Sequence, residues 1–279
     1  MRQHYITTKP HYYTTIIEAT PVSLLPTPIS VRRDIPFYHA KSEAEFKDDV
    51  YERYDELVTR QTGLHLADEL HGGYPFQDLL DYILRWLPAA DTPLAVADLG
   101  CSVGRLAAEI AIRQPASTVY GLDLSYQMLR QGHDFWVKGA TLQPNLLRYG
   151  FGNPQLKGHQ LTNLHFALAK AEELPFPDAS LDLILNTFLI DRLPQPLGAF
   201  AEWARVLKPG GRLITVSPLN FLKTQSWREA HPPAKIFAQL MGAGWQLEDL
   251  MDPLLLDEPM DARGNAVRWK TLAFVASRG

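Results

Sequence analysis

From Ser42 to Thr59 charged residues interleave with Phe46, Val50, Tyr54 and Leu57, a spacing of four, four and three that lays one apolar face along a helix. Ser42 with Glu45 three residues on has the pattern of a capping box at its start. A second helix is predicted over Pro75 to Leu87, stopped by Pro88 and the turn-forming Asp91-Thr92-Pro93. Beyond it the pattern changes. Leu94 to Leu99, Thr118 to Leu122, Leu164 to Leu168, Leu181 to Leu185 and Arg212 to Val216 are short apolar runs of the kind that forms buried strands. Helical patterns fall between them over Val103 to Arg113, Ser125 to Val137 and Leu197 to Leu207. A last helix near Ala234 to Met241 and strands at Trp245 to Leu250 and Thr271 to Ala276 close the chain, while the Gly- and Pro-punctuated stretch 138–163 reads as a loop insertion. Strands alternating with helices predict an α/β fold built on a doubly wound, mostly parallel sheet of seven strands.

The first 40 residues follow no such rhythm. Pro10, Pro21, Pro26, Pro28 and Pro36 exclude a long helix, and Tyr12-Tyr13-Thr14-Thr15-Ile16-Ile17 has strand propensity. Residues 1–74 are expected to form an N-terminal arm and helical cap, packed on the main domain or lying as a flap over a ligand pocket, and residues 75–279 the domain itself. Composition narrows the partners. A net charge of -4 argues against a protein that neutralises many phosphates, so nucleic acid is not expected and a small molecule is. Cys101 is the single cysteine, which excludes a disulfide framework and suits a reducing compartment. No apolar run reaches the roughly 18 residues of a membrane span, and the N-terminus lacks the apolar stretch of a secretory signal. A cytoplasmic protein is therefore expected.

The chemistry concentrates at two strand ends. Val96-Ala97-Asp98-Leu99-Gly100-Cys101-Ser102-Val103-Gly104-Arg105 places an acid at the end of a strand, then a turn of small residues, then a helix start. Ligands of doubly wound sheets bind where such turns leave the strands. The next strand ends in Gly121-Leu122-Asp123-Leu124-Ser125, so Asp123 is set to accept hydrogen bonds from both hydroxyls of a ribose. A nucleoside-containing cofactor follows. Small residues at 100, 102 and 104 do not match the G-x-G-x-x-G of pyrophosphate-binding turns. Together with Asp98 they resemble the D-x-G-x-G-x-G turn of class I S-adenosylmethionine-dependent methyltransferases, a Rossmann-like superfamily.

Three further segments resemble that superfamily in the same order. They are Ala169-Lys170-Ala171-Glu172-Glu173-Leu174-Pro175-Phe176, Pro177-Asp178-Ala179-Ser180-Leu181-Asp182-Leu183-Ile184 and Val206-Leu207-Lys208-Pro209-Gly210-Gly211-Arg212-Leu213. The resemblance implies S-adenosyl-L-methionine as cofactor. It implies that Asp98, Gly100, Cys101, Ser102 and Gly104 meet the methionine half, Asp123 and Leu124 the ribose, and Lys170, Ala171 and Glu172 the adenine, with Asn186 a further contact. Two positions depart from the pattern. Ser102 replaces the usual middle glycine, which a negative φ would accommodate. Lys170 stands where many relatives place an Asp that accepts from the adenine amino group; lysine has no acceptor, so adenine would lean on the Ala171 amide.

Gly104-Arg105-Leu106, Ser125-Tyr126-Gln127-Met128-Leu129, Asn186-Thr187-Phe188-Leu189-Ile190-Asp191 and Ser217-Pro218-Leu219 resemble signatures of the carnosine N-methyltransferase family within that superfamily. This resemblance implies an imidazole or other nitrogen acceptor on a small molecule or small peptide. Phe188 and Asp191, three residues apart and on one face if the turn continues as a helix, would contact it. Phe188 would pack on the ring or shield the sulfonium, and Asp191 would accept a hydrogen bond from the ring's other nitrogen. Leu222 stands where that family has a histidine.

Other readings stay open. The stretch 94–216 also resembles quinone-biosynthesis methyltransferases, which act on oxygen or carbon, and Asp191 would then be the candidate base. Gly100-Cys101-Ser102-Val103-Gly104 satisfies the G-x-S-x-G elbow of α/β-hydrolases, with His71-Gly72-Gly73, Asp191 and His231 as imitations of the remaining parts. The substitutions at Ser102 and Lys170 also suit a protein that binds the cofactor without catalysis.

Overall fold

Leu94 to Leu99 alternates its side chains between two apolar environments, and so do the runs beside it, because a parallel sheet is buried on both faces. In the computed structural model, which describes residues 24–279, Val96, Leu183, Ile214 and Val275 pack into one layer, and Ala97, Leu99, Ile184, Leu213 and Phe274 into the other. The expected strand Tyr12–Ile17 lies outside the described residues.

The strands are β1 (Ser30–Arg32), β2 (Ile35–Phe37), β3 (Ala95–Leu99), β4 (Thr118–Asp123), β5 (Leu164–Leu168), β6 (Leu181–Thr187), β7 (Leu207–Ser217), β8 (Trp245–Pro259) and β9 (Ala266–Arg278). They form one sheet in the order β1-β2-β5-β4-β3-β6-β7-β9-β8. Pairing is parallel from β2 to β7 and antiparallel for β1 with β2, β7 with β9 and β8 with β9. All seven expected strands are present. The sheet has nine because the Pro-rich arm adds β1 and β2, a hairpin joined to β5 at Phe37 opposite Leu168.

Helices α1 (Glu43–Asp48), α2 (Val50–Arg53), α3 (Asp55–Leu66), α4 (Asp68–His71) and α5 (Gln77–Leu84) precede the β3–β7 repeat, which carries α6 (Arg105–Arg113), α7 (Tyr126–Trp136) and α8 (Ala199–Val206). The Ser42 capping box is formed, but the helix expected over 42–59 is broken into α1, α2 and the start of α3. Asp49 causes the first break by turning its carboxylate onto the amides of Tyr51 (2.9 Å) and Glu52 (3.3 Å), which makes it the N-cap of a new helix. Besides β1 and β2, the elements not anticipated are α4, α9 (Thr224–Ala230), ahead of the expected α10 (Ala234–Gly242), and the outer half of the β8–β9 hairpin. Its charged residues, Asp257, Glu258, Arg268 and Lys270, hide the strand pattern.

Charged contacts dock the cap over the carboxyl ends of the strands. Glu52 Oε1 accepts from the Tyr126 amide at the start of α7 (3.0 Å), and Lys41 bridges Asp49 (2.5 Å) and Glu52 (3.4 Å). Glu45 Oε1 pairs with Lys170 Nζ (2.7 Å), and its Oε2 takes the Ser42 amide (2.7 Å) and lies 3.0 Å from His39 Nε2. Lys170 and the Ser42 amide hold the Glu45 carboxyl well below its ordinary value. A depressed carboxyl contributes stability above its unfolded value and loses it as the pH falls. Glu45→Gln should therefore raise amide exchange across 42–48 by roughly fivefold, the equivalent of about 1 kcal/mol, and wild type should lose the same protection below pH 4.5. Hydrogen–deuterium exchange read by mass spectrometry checks both.

Candidate active site

The turn after β3 is built from left-handed residues at alternate positions: Gly100 has φ +68°, Ser102 +54° and Gly104 +76°. A Cβ on Gly104 would lie 2.4 Å from the Phe166 ring, and one on Gly100 would lie 3.0 Å from Leu189. Position 102 therefore does not have the negative φ that would suit a serine. An L-residue there costs about 1–2 kcal/mol relative to an ordinary conformation. What holds it is Asp123: Oδ2 accepts from the Ser102 amide (2.9 Å) and Oδ1 from the Ser125 amide (2.7 Å). Each oxygen keeps a further lone pair. Burial raises the Asp123 carboxyl above its ordinary value, and the two amides oppose that rise.

Asp98 lies beneath the turn. It is buried, and its Oδ1 has no hydrogen-bond partner among the described residues. Burial pushes it up to about 8, opposed by the Ala107 amide and reinforced by the Asp123 charge. Both carboxylates line a cavity of about 690 Å³ between the strand ends, the cap and the β8–β9 hairpin. Gly100, Cys101, Ser102 and Leu124 line it as well, as do Ala171 and Glu172 at the end of β5. The Cys101 thiol is pushed well up by burial, so it is no nucleophile.

Five expected site residues are placed differently from those. Gly104 is not part of the cavity wall and packs against Phe166. Lys170 is not part of it either; its ammonium is turned to Glu45. Asn186 is fully buried, with Oδ1 accepting from the Ile190 amide (3.1 Å) and Nδ2 donating to Thr215 (3.3 Å), so it shapes the bend after β6. Phe188 takes φ +53°, and the chain turns into a short 3-10 helix over Ile190–Arg192. Phe188 and Asp191 therefore share no helical face. The Phe188 ring faces the cavity between Phe76 (6.2 Å between centroids) and Trp269 (5.8 Å). Asp191 points inward, where Oδ2 accepts from the Asn220 amide (3.0 Å) and fixes the loop after β7.

The cavity also draws on residues to which no sequence pattern pointed: Tyr51, Gln61, His65, Arg192, Glu258 and Trp269. They come from the cap, the bend after β6 and the outer hairpin, segments far apart in the chain. His65 is held neutral, its value lowered to about 3 by burial and by Arg105 and Arg60, and its ring nitrogens meet Tyr74 (3.2 Å) and Gln61 (3.1 Å). The hydrolase parts do not assemble. Ser102 Oγ contacts Met128 Sδ (3.7 Å), while His71 packs on Phe151 and His231 on Trp227.

Residues 97–215 match the family model described as a methyltransferase domain. The chain is 32% identical over 151 residues to trans-aconitate 2-methyltransferase of Streptomyces coelicolor, covering 54% of this chain and 42% of that protein. It is 31% identical over 124 residues to the ubiquinone/menaquinone biosynthesis C-methyltransferase UbiE of Bordetella avium, covering 44% of this chain and 41% of the relative. A third relative is the malonyl-[acyl-carrier protein] O-methyltransferase of Marinomonas sp. (strain MWYL1), 29% identical over 49% of this chain and 42% of that one. The chain thus spans less than half the length of these curated relatives. In fold it resembles a SAM-dependent methyltransferase from Aquifex aeolicus, with a TM-score of 0.50 and 17% identity over 81% of this chain and all of that one. Residues 97–215 are thus similar to a methyltransferase domain, and the fold is one that a SAM-dependent methyltransferase shares.

S-adenosyl-L-methionine is the cofactor that this similarity implies, and the residues present fit it. The unpartnered buried acceptor of Asp98 suits an ammonium group, the spare lone pairs of Asp123 suit a ribose diol, and the small residues of the turn leave room beside both. Ser102→Gly should relieve the left-handed strain and raise the unfolding free energy by about 1 kcal/mol in urea titrations. The raised value of Asp98 means that the ligand-free fold favours the protonated acid, so its contribution to stability is lost as the pH rises from the ordinary 3.8 through about 8. Urea midpoints at pH 5 and pH 8 should accordingly fall further in wild type than in Asp98→Asn.

Proposed function

We propose that this protein transfers the methyl group of S-adenosyl-L-methionine to a small planar acceptor held between the strand ends and the N-terminal cap. The observation that carries this reading is one cavity in which the Asp98–Asp123 end is continuous with a wall of Phe76, Phe188 and Trp269. The sulfonium supplies an activated methyl group, so the protein's task is to align an acceptor lone pair with the departing sulfur and to keep water away. Asp123 orients the ribose, Asp98 neutralises positive charge on the methionine half, and Ala171 and Glu172 receive the adenine. Phe188, held by its strained backbone and by its two aromatic neighbours, forms the surface against which the acceptor lies.

An imidazole or other nitrogen acceptor is favoured by the state of the polar groups around that wall. A neutral ring nitrogen brings its own lone pair and needs no base. His65 is neutral with both nitrogens engaged, and Glu258 is taken up by Arg60 (2.5 Å) and Trp269 Nε1 (2.8 Å). Asp191 supports the site by fixing the loop at Asn220. A second reading, methylation at oxygen or carbon of a quinone-like molecule, is supported by the similarity to UbiE. The acceptor class and a cytoplasmic, reducing location belong to this reading. Among the described residues no helix is long and apolar enough to cross a membrane.

Calorimetric titration with S-adenosylhomocysteine tests the cofactor half. Wild type should bind it, and Asp123→Ala should bind at least about tenfold more weakly, since two ribose hydrogen bonds to a charged acceptor are lost. Equal affinity in the two proteins would remove Asp123 from the site. Binding without methyl transfer across a broad panel of nitrogen, oxygen and carbon acceptors would favour a non-catalytic role.

A further inference from the structure

Among the described residues two guanidinium groups line the cavity, and they are in opposite states. Arg105 is engaged at both Nη nitrogens, its Nε alone lacking a partner among the described residues: it donates to Asp68 Oδ1 (2.6 Å) and Oδ2 (2.9 Å) and to the His65 carbonyl (3.0 Å), and it pairs with Glu109 (2.7 Å). Arg192 has only Asp191 Oδ1, 3.7 Å from its Nε and beyond hydrogen-bond distance, while Oδ2 of that carboxylate takes the Asn220 amide. Neither Nη nitrogen of Arg192 has a protein acceptor among the described residues. Two further acids of the cavity wall are engaged elsewhere, Glu258 with Arg60 and Trp269, and Asp49 with Lys41.

A second donor faces the same region. The Tyr51 hydroxyl lines the cavity and has no hydrogen-bond partner among the described residues. It is kept protonated by burial and by the negative charge of Asp123, and it lies within the field of Arg192 and Glu258. Phe188, four residues before Arg192, supplies an apolar face of the same cavity. Arg192 lines the cavity with 39% of its side chain exposed, so its Nη groups are free to meet an entering anion, and a carboxylate is the group that can take two guanidinium N–H bonds at once.

We infer that Arg192, assisted by Tyr51, binds a carboxylate carried by the methyl acceptor, so that the acceptor is a planar molecule with an anionic arm whose ring lies against Phe188. The inference rests on the methyltransferase reading and adds the substrate class to it. The same chemistry has a second source, the amino-acid carboxylate of the cofactor itself, and the experiment separates the two.

Wild type saturated with S-adenosylhomocysteine is titrated calorimetrically with imidazole-4-acetate and with phenylacetate, each beside its neutral carboxamide. The acids should bind at least about tenfold more tightly than the amides. Arg192→Gln should erase that difference while leaving the affinity for S-adenosylhomocysteine within about twofold, and Tyr51→Phe should weaken the acids about threefold. Acids and amides that bind alike, acids that do not bind, or an Arg192→Gln protein that loses S-adenosylhomocysteine overturn the inference, the last by assigning the guanidinium to the cofactor. A wild type that binds no S-adenosylhomocysteine overturns the methyltransferase reading and this inference with it.

Discussion

The Asp123 carboxylate joins two loops that would otherwise be independent. By accepting the Ser102 and Ser125 amides it ties the turn after β3 to the start of α7, and it does so from a strand end whose position is set by the parallel pairing of Leu99 with Leu122. The left-handed backbone at Ser102 survives because these hydrogen bonds and the pairing fix both sides of it. Asp98, under the same turn, is the electrostatic counterpart. A buried acid with an unused acceptor, close enough to Asp123 to feel its charge, is a site awaiting a cation.

The cap makes this strand-end arrangement a cavity. Lys41, Asp49 and Glu52 form a compact charged group whose outward partner is the first amide of α7, and Glu45 reaches Lys170 at the end of β5. Lys170 thus fastens the cap to the end of β5. Burial of Lys41, with only 4% of its side chain exposed, makes these pairs less screened than surface ion pairs. The β8–β9 hairpin closes the opposite side with Glu258 and Trp269.

Within the cavity nearly every charge that the fold brings in is matched by another that it also brings in. Arg105 answers Asp68 and Glu109, Arg60 answers Glu258, and Lys41 answers Asp49. Against that background the acceptor of Asp98 and the guanidinium of Arg192 stand out, one at the cofactor end and one beyond Phe188.

The α/β sheet, its five central parallel strands and the acids at the ends of β3 and β4 are legible in the sequence because each depends on local pattern. Period-two burial, a small-residue turn and an acid at a strand end are written within about ten consecutive residues. The edge hairpin of the arm and the outer half of β8–β9 are not, since three-residue strands and charged edge strands carry no apolar signal. The φ of Ser102 and of Phe188 was also out of reach: it is imposed by Asp123 in one case and by the Val216 carbonyl and the bend at Asn186 in the other. The left-handed Phe188 breaks the helical phase that would have put Asp191 beside it, so Asp191 goes inward. Which charges remain free is a property of side chains far apart in the chain, and only the packed structure reveals that the Nη nitrogens of Arg105 are spent and those of Arg192 are not.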